Sequence, residues 1–254
     1  MIALHAEEIR GGQRFIETAK KVSRRIPIIT LKTGRSVAGA RAAASHTGSM
    51  AGEDRIMDAA FKKAGIIRVD ETEDQVDLIR GFARLPPMKG PRVAVVTLSG
   101  ASGIIFLDTM DKYGLECPKL SAETMAGIQS LTPDWMHLNN PIDIWPAIMK
   151  HGIRKAFRTP LKDTLSDPNV DGVICINLAM AESDQKHLGA EKIIQELSDR
   201  FNKPVVVWVY GSHPEPVIKE LETHGRAFVT GSLERSVRML ATMARYERWK
   251  MSQI

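Results

Sequence analysis

Short runs of β-branched and aliphatic residues alternate along this chain with helix-length stretches in which apolar residues recur every three or four positions. Ile2–His5 predicts a strand, Gly12–Arg25 a helix with Lys and Arg on its solvent side, and Pro27–Leu31 a second strand, so the chain opens on a βαβ unit. A stretch rich in Gly, Ala and Ser follows and predicts a loop. Beyond it, helices over Asp54–Ala64 and Glu73–Arg84 flank a short strand at Ile66–Val69.

Leu85–Pro91 then places three prolines and a glycine in seven residues, a composition that can neither continue a helix nor join a central strand. It predicts a boundary between a domain over residues 1–86 and another over 91–254. The second half restarts the alternation with a strand at Arg92–Leu98, a glycine turn and a helix at Ile104–Tyr113. Further strands are predicted near Val170–Asn177, Pro204–Tyr210 and Arg226–Val229. Strands separated by helices imply parallel sheets covered on both faces, hence an α/β fold, and the second domain has the size and alternation of a flavodoxin-like doubly wound sheet. Ligands of such sheets sit at the carboxyl ends of the strands, which directs attention to the loops after Leu31, Leu98 and Tyr210.

Composition narrows the function classes. The chain has 254 residues, 43% of them hydrophobic and 26% charged, which is globular arithmetic. No apolar run approaches the ~20 residues that cross a bilayer, and the start of the chain reaches Glu7 and Glu8 without the basic and apolar segments of a signal peptide. Cys117 and Cys175 stand alone in separate segments, so neither a disulfide framework nor a zinc site is expected. A cytoplasmic protein with no membrane partner is the expectation. The net charge of +5 is spread over amphipathic segments rather than gathered into a tract, which suits anionic small molecules better than nucleic acid. His5, His137, His151, His187, His213 and His224 lack carboxylate or cysteine neighbours at ligand spacing, so no metal site is expected. Trp135, Trp145, Trp208 and Trp249 read as core or interface fill.

Three places could carry chemistry. In Ser45-His46-Thr47-Gly48-Ser49, small residues would leave an imidazole standing clear of the backbone, with hydroxyls, N–H groups and the following helix N-terminus as donors to an anion. A flexible connector is the plain alternative. Ser99-Gly100-Ala101-Ser102-Gly103 lies between an apolar strand and a helix, where N–H groups converge as in a phosphate cradle; it lacks a P-loop lysine, and a tight turn is its plain alternative. Glu7 and Glu8 follow the first strand, where a carboxylate could accept the second imidazole N–H of a catalytic histidine, or simply favour a helix start. Asn139-Asn140-Pro141-Ile142-Asp143 reads first as a turn.

Taken together, the run from Leu31-Lys32-Thr33-Gly34-Arg35 through Ser45-His46-Thr47-Gly48-Ser49 to Gly52, continued by Asp58–Val69, resembles the nucleoside-diphosphate-forming acyl-CoA synthetases. That family includes ADP-forming acetyl-CoA synthetase and, more distantly, succinyl-CoA synthetase. Val93–Gly103, Asn140–Asp143 and Pro204–Tyr210 fall in the family's order, so the resemblance spans essentially the whole chain. It implies two flavodoxin-like three-layer domains with mostly parallel sheets, the first truncated at its N-terminus, with a sheet edge that another chain would cover. It further implies a transient phosphohistidine at His46, oriented by Glu7 rather than Glu8. The phosphate would be held by Ser45, Thr47, Gly48 and Ser49 and by Ser99, Gly100, Ala101, Ser102 and Gly103, at two helix N-termini. The reaction implied is acyl-CoA + ADP + phosphate ⇌ acid + ATP + CoA. CoA, ADP or ATP, phosphate and Mg2+ then serve as substrates or ion of the complete enzyme, with no cofactor held by this chain alone. An ATP-grasp domain or subunit and a CoA-binding domain would come from elsewhere, in a homo- or hetero-oligomer. A non-catalytic binding or regulatory module that kept the fold is the competing expectation, and a basic nucleic-acid-associated protein a third, motivated only by charge.

Overall fold

A computed structural model describes residues 1–47, 53–133, 135, 136, 138–179 and 189–253. The chain divides into two compact units, Met1–Ala83 with Arg245–Ile254, and Arg84–Ala244.

The first unit runs β1 (Ile2–Ala6), α1 (Gly12–Ser23), β2 (Ile28–Lys32), α2 (Val37–Thr47), α3 (Asp54–Ala64), β3 (Ile67–Val69) and α4 (Thr72–Arg84). Its sheet has the order β1-β2-β3 and every pairing is parallel, with Ile2 opposite Ile28, Ala6 opposite Lys32 and Leu31 opposite Val69. All five residues of β2 are buried, as a central strand covered on both faces requires, whereas β1 is an edge strand with Ile2, Ala3 and His5 exposed. Ala19 of α1 and Phe61 and Ala64 of α3 close over Ile28, with Phe15 and Ile16 packed around them.

The last ten residues, expected with the second domain, belong to the first unit. The Tyr246 hydroxyl donates to the Ser23 carbonyl at 2.6 Å, and its ring meets Phe82 edge-on at 5.6 Å. The Trp249 ring lies 2.5 Å from where a side chain on Gly65 would begin. Gly65 ends α3 in the left-handed region at φ 71°, so it is required twice, by its backbone and by that ring. Gly65→Ala is therefore expected to lower the thermal midpoint of this unit, by strain and by displacement of Trp249, on the order of 2–3 kcal/mol. An unchanged midpoint by circular dichroism would refute the close approach.

The second unit runs β4 (Val93–Thr97), α5 (Gly100–Tyr113), α6 (Ala122–Gln129), β5 (Ile142–Asp143), α7 (Trp145–Ser166), β6 (Gly172–Ala179), α8 (Glu191–Arg200), β7 (Val205–Gly211), α9 (Pro214–Thr223), β8 (Phe228–Thr230) and α10 (Leu233–Met251), whose last turns belong to the first unit. The sheet order is β5-β4-β6-β7-β8, again wholly parallel. Numbered within the unit this is the 2-1-3-4-5 order of the flavodoxin-like fold, and its switch point lies at β4, from which the chain goes to β5 on one side and to β6 on the other. β4, β6 and β8 are buried almost throughout, and Val96, Val173, Cys175, Val207, Phe157 and Leu161 form the centre of the core. Two of the four tryptophans are not core: Trp135 is 78% exposed and Trp145 45%. Among the described residues no helix is long and apolar enough to cross a membrane.

Candidate active site

In the first unit Val37–Thr47, within the stretch expected to be a loop, form a helix. Five alanines between residues 38 and 44 make α2 favourable despite Gly39, and Ser36 caps it by accepting the Gly39 N–H at 3.0 Å. His46 thus lies in the backbone of the last turn of α2 rather than on an irregular loop. This bears on Ser45 and Thr47, expected to offer donors to an anion. Their N–H groups lie within the helix, and the Ser45 hydroxyl donates to the carbonyls of Arg41 and Ala42 at 3.2 and 3.0 Å. The side chains of His46 and Thr47, and Gly48 and Ser49 altogether, fall outside the described residues, as does His137.

Ion pairs join the start of α2 to α3 and β3. Arg35, just before α2, bonds Asp54 at the start of α3 (3.4 Å) and Asp70; Arg68 of β3 bonds the other oxygen of Asp54 and approaches Asp58 at 3.9 Å. Asp54 lies in the first turn of α3, and Glu53 at the cap makes no side-chain hydrogen bond to it. The hydrogen bond from Arg68, helped by the charges of Arg68 and Arg35, holds the Asp54 carboxyl below the usual carboxylate range. A carboxyl lowered by folding contributes stability above its unfolded value of about 3.9, and that contribution is lost as pH falls through the folded value. Asp54→Asn should flatten the fall in melting temperature on acidification below about pH 4; identical acid slopes for the two proteins would show that the clamp contributes nothing.

Glu7 follows β1 directly, and its backbone carbonyl receives the Lys32 ammonium at 2.6 Å. The neighbouring Glu8 carboxylate accepts from Arg10 at 3.1 Å. Both glutamates open onto a groove of about 680 Å³ along the edge strand, lined also by His5, Ile9 and Phe15.

In the second unit, α5 starts at Gly100, four residues earlier than expected, because Ser99 caps it. The Ser99 side chain accepts the Ser102 N–H at 3.5 Å, and the Gly103 N–H bonds the Ser99 carbonyl at 3.1 Å. The Ser102 and Gly103 N–H groups, expected among the cradle donors, are thereby engaged within the turn. Among the described residues, the Gly100 and Ala101 N–H groups have no partner and point from the helix end at the carboxyl edge of β4. Thr97 stiffens the turn by accepting the Ser99 N–H and donating to its carbonyl, both at 2.9 Å.

Residues 139–143, read as a turn, instead buttress this helix end. The Asn140 side chain accepts the Val95 N–H at 2.9 Å and donates to the carbonyls of Val93 (3.1 Å) and Pro118 (3.3 Å), completing the edge of β4 where β5 has not yet begun. A side chain on Gly103 would come within 3.0 Å of Pro141, and one on Gly100 within 3.2 Å of the Asp143 carboxylate. The turn therefore offers two N–H donors beside one acceptor, a fit for an oxyanion that still carries a proton or a bound cation. Sequence reasoning missed Lys32 and the roles of Asn140 and Asp143; an unexplained lysine ending the apolar run of β2 was the available signal.

Residues 1–82 match the succinyl-CoA ligase like flavodoxin domain. By sequence and fold the chain is similar to the nucleoside-diphosphate-forming acyl-CoA synthetases. It is 38% identical over 224 residues to the alpha subunit of ADP-forming acetate–CoA ligase II of Pyrococcus furiosus, covering 87% of this chain and 48% of that subunit. It is 28% identical over 254 residues to the ADP-forming 4-hydroxybutyrate–CoA ligase of Nitrosopumilus maritimus, covering 99% of this chain and 35% of that enzyme. The structure of a dinucleotide forming acetyl-coenzyme A synthetase 1 from Ca. Korarchaeum cryptofilum, in complex with phosphate and ADP, matches with a TM-score of 0.85 and 29% identity, covering 100% of this chain and 55% of that one. The chain spans about half the length of the Pyrococcus subunits it matches.

Proposed function

We propose that this chain is the phosphohistidine-bearing part of an ADP-forming acid–CoA ligase, interconverting acyl-CoA, ADP and phosphate with acid, ATP and CoA. Phosphate attacks the thioester carbonyl and releases the CoA thiol, leaving an acyl phosphate. The His46 imidazole then attacks phosphorus, the carboxylate leaves, and the phosphoryl group passes from His46 to ADP. Glu7 accepts the other imidazole N–H and so sets which nitrogen is nucleophilic. The Gly100 and Ala101 N–H groups hold the phosphate or acyl phosphate oxygens, and such transfers need positioning and charge stabilisation above all. ADP with Mg2+ and CoA bind on partner domains or subunits, of ATP-grasp and CoA-binding type, in a cytoplasmic assembly.

The observation that carries this reading is the 38% identity to an acetate–CoA ligase alpha subunit across most of the chain. The test is incubation of the full chain with the nucleotide-binding subunit of an intact relative and γ-labelled ATP. Acid-labile, alkali-stable phosphate on this chain is expected. Absence of label, with a subunit that labels its own partner, would overturn the reading in favour of a non-catalytic module.

A further inference from the structure

We propose that Lys32 is a positioning residue of the phosphoryl-transfer site. Its ammonium, bonded at once to the carbonyl oxygens of Glu7 and Thr33, fixes the backbone from which Glu7 presents its carboxylate to His46. The inference rests on the phosphohistidine reading and extends it to a residue that the reading leaves without a role.

Lys32 ends the central strand and is only 6% exposed. Burying an ammonium is costly unless its hydrogens are taken up, and packing alone would be served by an aliphatic residue such as its neighbour Leu31. Burial, and then the charge of Arg68, lowers the Lys32 pKa, while Asp54 and Glu7 oppose the shift. The ammonium reaches the Glu7 carbonyl at 2.6 Å and the Thr33 carbonyl at 2.5 Å.

The sheet does not need these bonds. β1 and β2 are in register up to Ala6 opposite Lys32, and the ladder closes with the Thr33 N–H on the Ala6 carbonyl at 3.1 Å. Glu7 is the first residue past that ladder. Lys32 therefore acts where strand pairing stops, on the one glutamate proposed to orient the histidine, while Glu8 turns to Arg10. It also joins the end of β1 to the 33–36 turn that leads into α2 and so to His46.

Three variants of the full chain, Lys32→Met, Glu7→Ala and the double variant, separate the possibilities. The rate of His46 phosphorylation by the partner subunit and the His46 tautomer, by 15N NMR, are read in each. Lys32→Met should slow phosphorylation about tenfold and shift the tautomer mixture in the direction that Glu7→Ala shifts it, since loss of a supporting partner typically costs ~10–100-fold. The double variant should be no slower than Glu7→Ala alone, because the two residues act as one unit. If Lys32→Met does not fold, Lys32→Arg replaces it: the cation stays, but its broader head must displace the Glu7 carbonyl, and the same slowing is expected. Native kinetics and tautomer in the Lys32 variant while Glu7→Ala is impaired would overturn the role of Lys32 and leave the phosphohistidine intact. Effects that multiply in full would likewise overturn it. Unaltered behaviour of Glu7→Ala would instead refute the role of Glu7, and no label on the native chain the whole reading.

Discussion

His46→Asn is expected to remove all acid-labile phosphate from the chain and to lower acid–CoA ligation in the assembled enzyme by ~10³-fold or more, because no other group can take the place of a missing nucleophile. The chemistry of the label makes this decisive. A phosphoramidate on imidazole breaks when its nitrogen is protonated and survives alkali, whereas an ester on Ser45, Thr47 or Ser49 would survive acid. Label that persists in His46→Asn and resists acid would move the acceptor to one of those hydroxyls. Asparagine keeps hydrogen-bonding capacity at the end of α2, where the backbone is already helical, so the fold of the first unit should be retained.

Asn140→Ala is expected to destabilise the second unit by about 3 kcal/mol, or about 10 °C in a unit of this size. The Asn140 side chain is the partner of the Val95 N–H and of the Val93 carbonyl, and both valines are fully buried. Alanine leaves a donor and an acceptor unpaired in the edge of β4, at about 1–3 kcal/mol each. Asn140→Asp keeps the acceptor for Val95 but turns a carboxylate oxygen towards the Val93 and Pro118 carbonyls, so a midpoint no higher than that of Asn140→Ala is expected. The same loss loosens β5, and with it Asp143 beside the Gly100 end of α5, so phosphate affinity should weaken even at temperatures where the variant is folded. A calorimetric midpoint unchanged by Asn140→Ala would refute the buttress.

The parts of the site that were legible from the chain are those carried by contiguous residues. The Ser-His-Thr-Gly motif points to His46, the Ile2–Ala6 strand to the glutamates behind it, and the apolar run before Ser99 to the turn that opens α5, the residues on which the proposed function rests. The local structure around His46 departs from the expected loop because five nearby alanines, with Ser36 as cap, carry a helix preference that outweighs one glycine. In the same way the glycines of 100–103 suggest a wide cradle, but the Ser99 cap draws two of the expected donors into the first turn of α5.

By itself the sequence determined the α/β alternation and the likeness to a known family, because hydrophobic period, turn chemistry and motif spacing are local properties of the chain. Only the tertiary structure decided which polar groups meet. Lys32 reaches Glu7 across 25 positions, Asn140 closes the edge of β4 across 45, and Tyr246 returns to Ser23 across 223. A buried donor or acceptor left without a partner costs free energy, and folding, rather than proximity along the chain, selects which partner lies within about 3 Å.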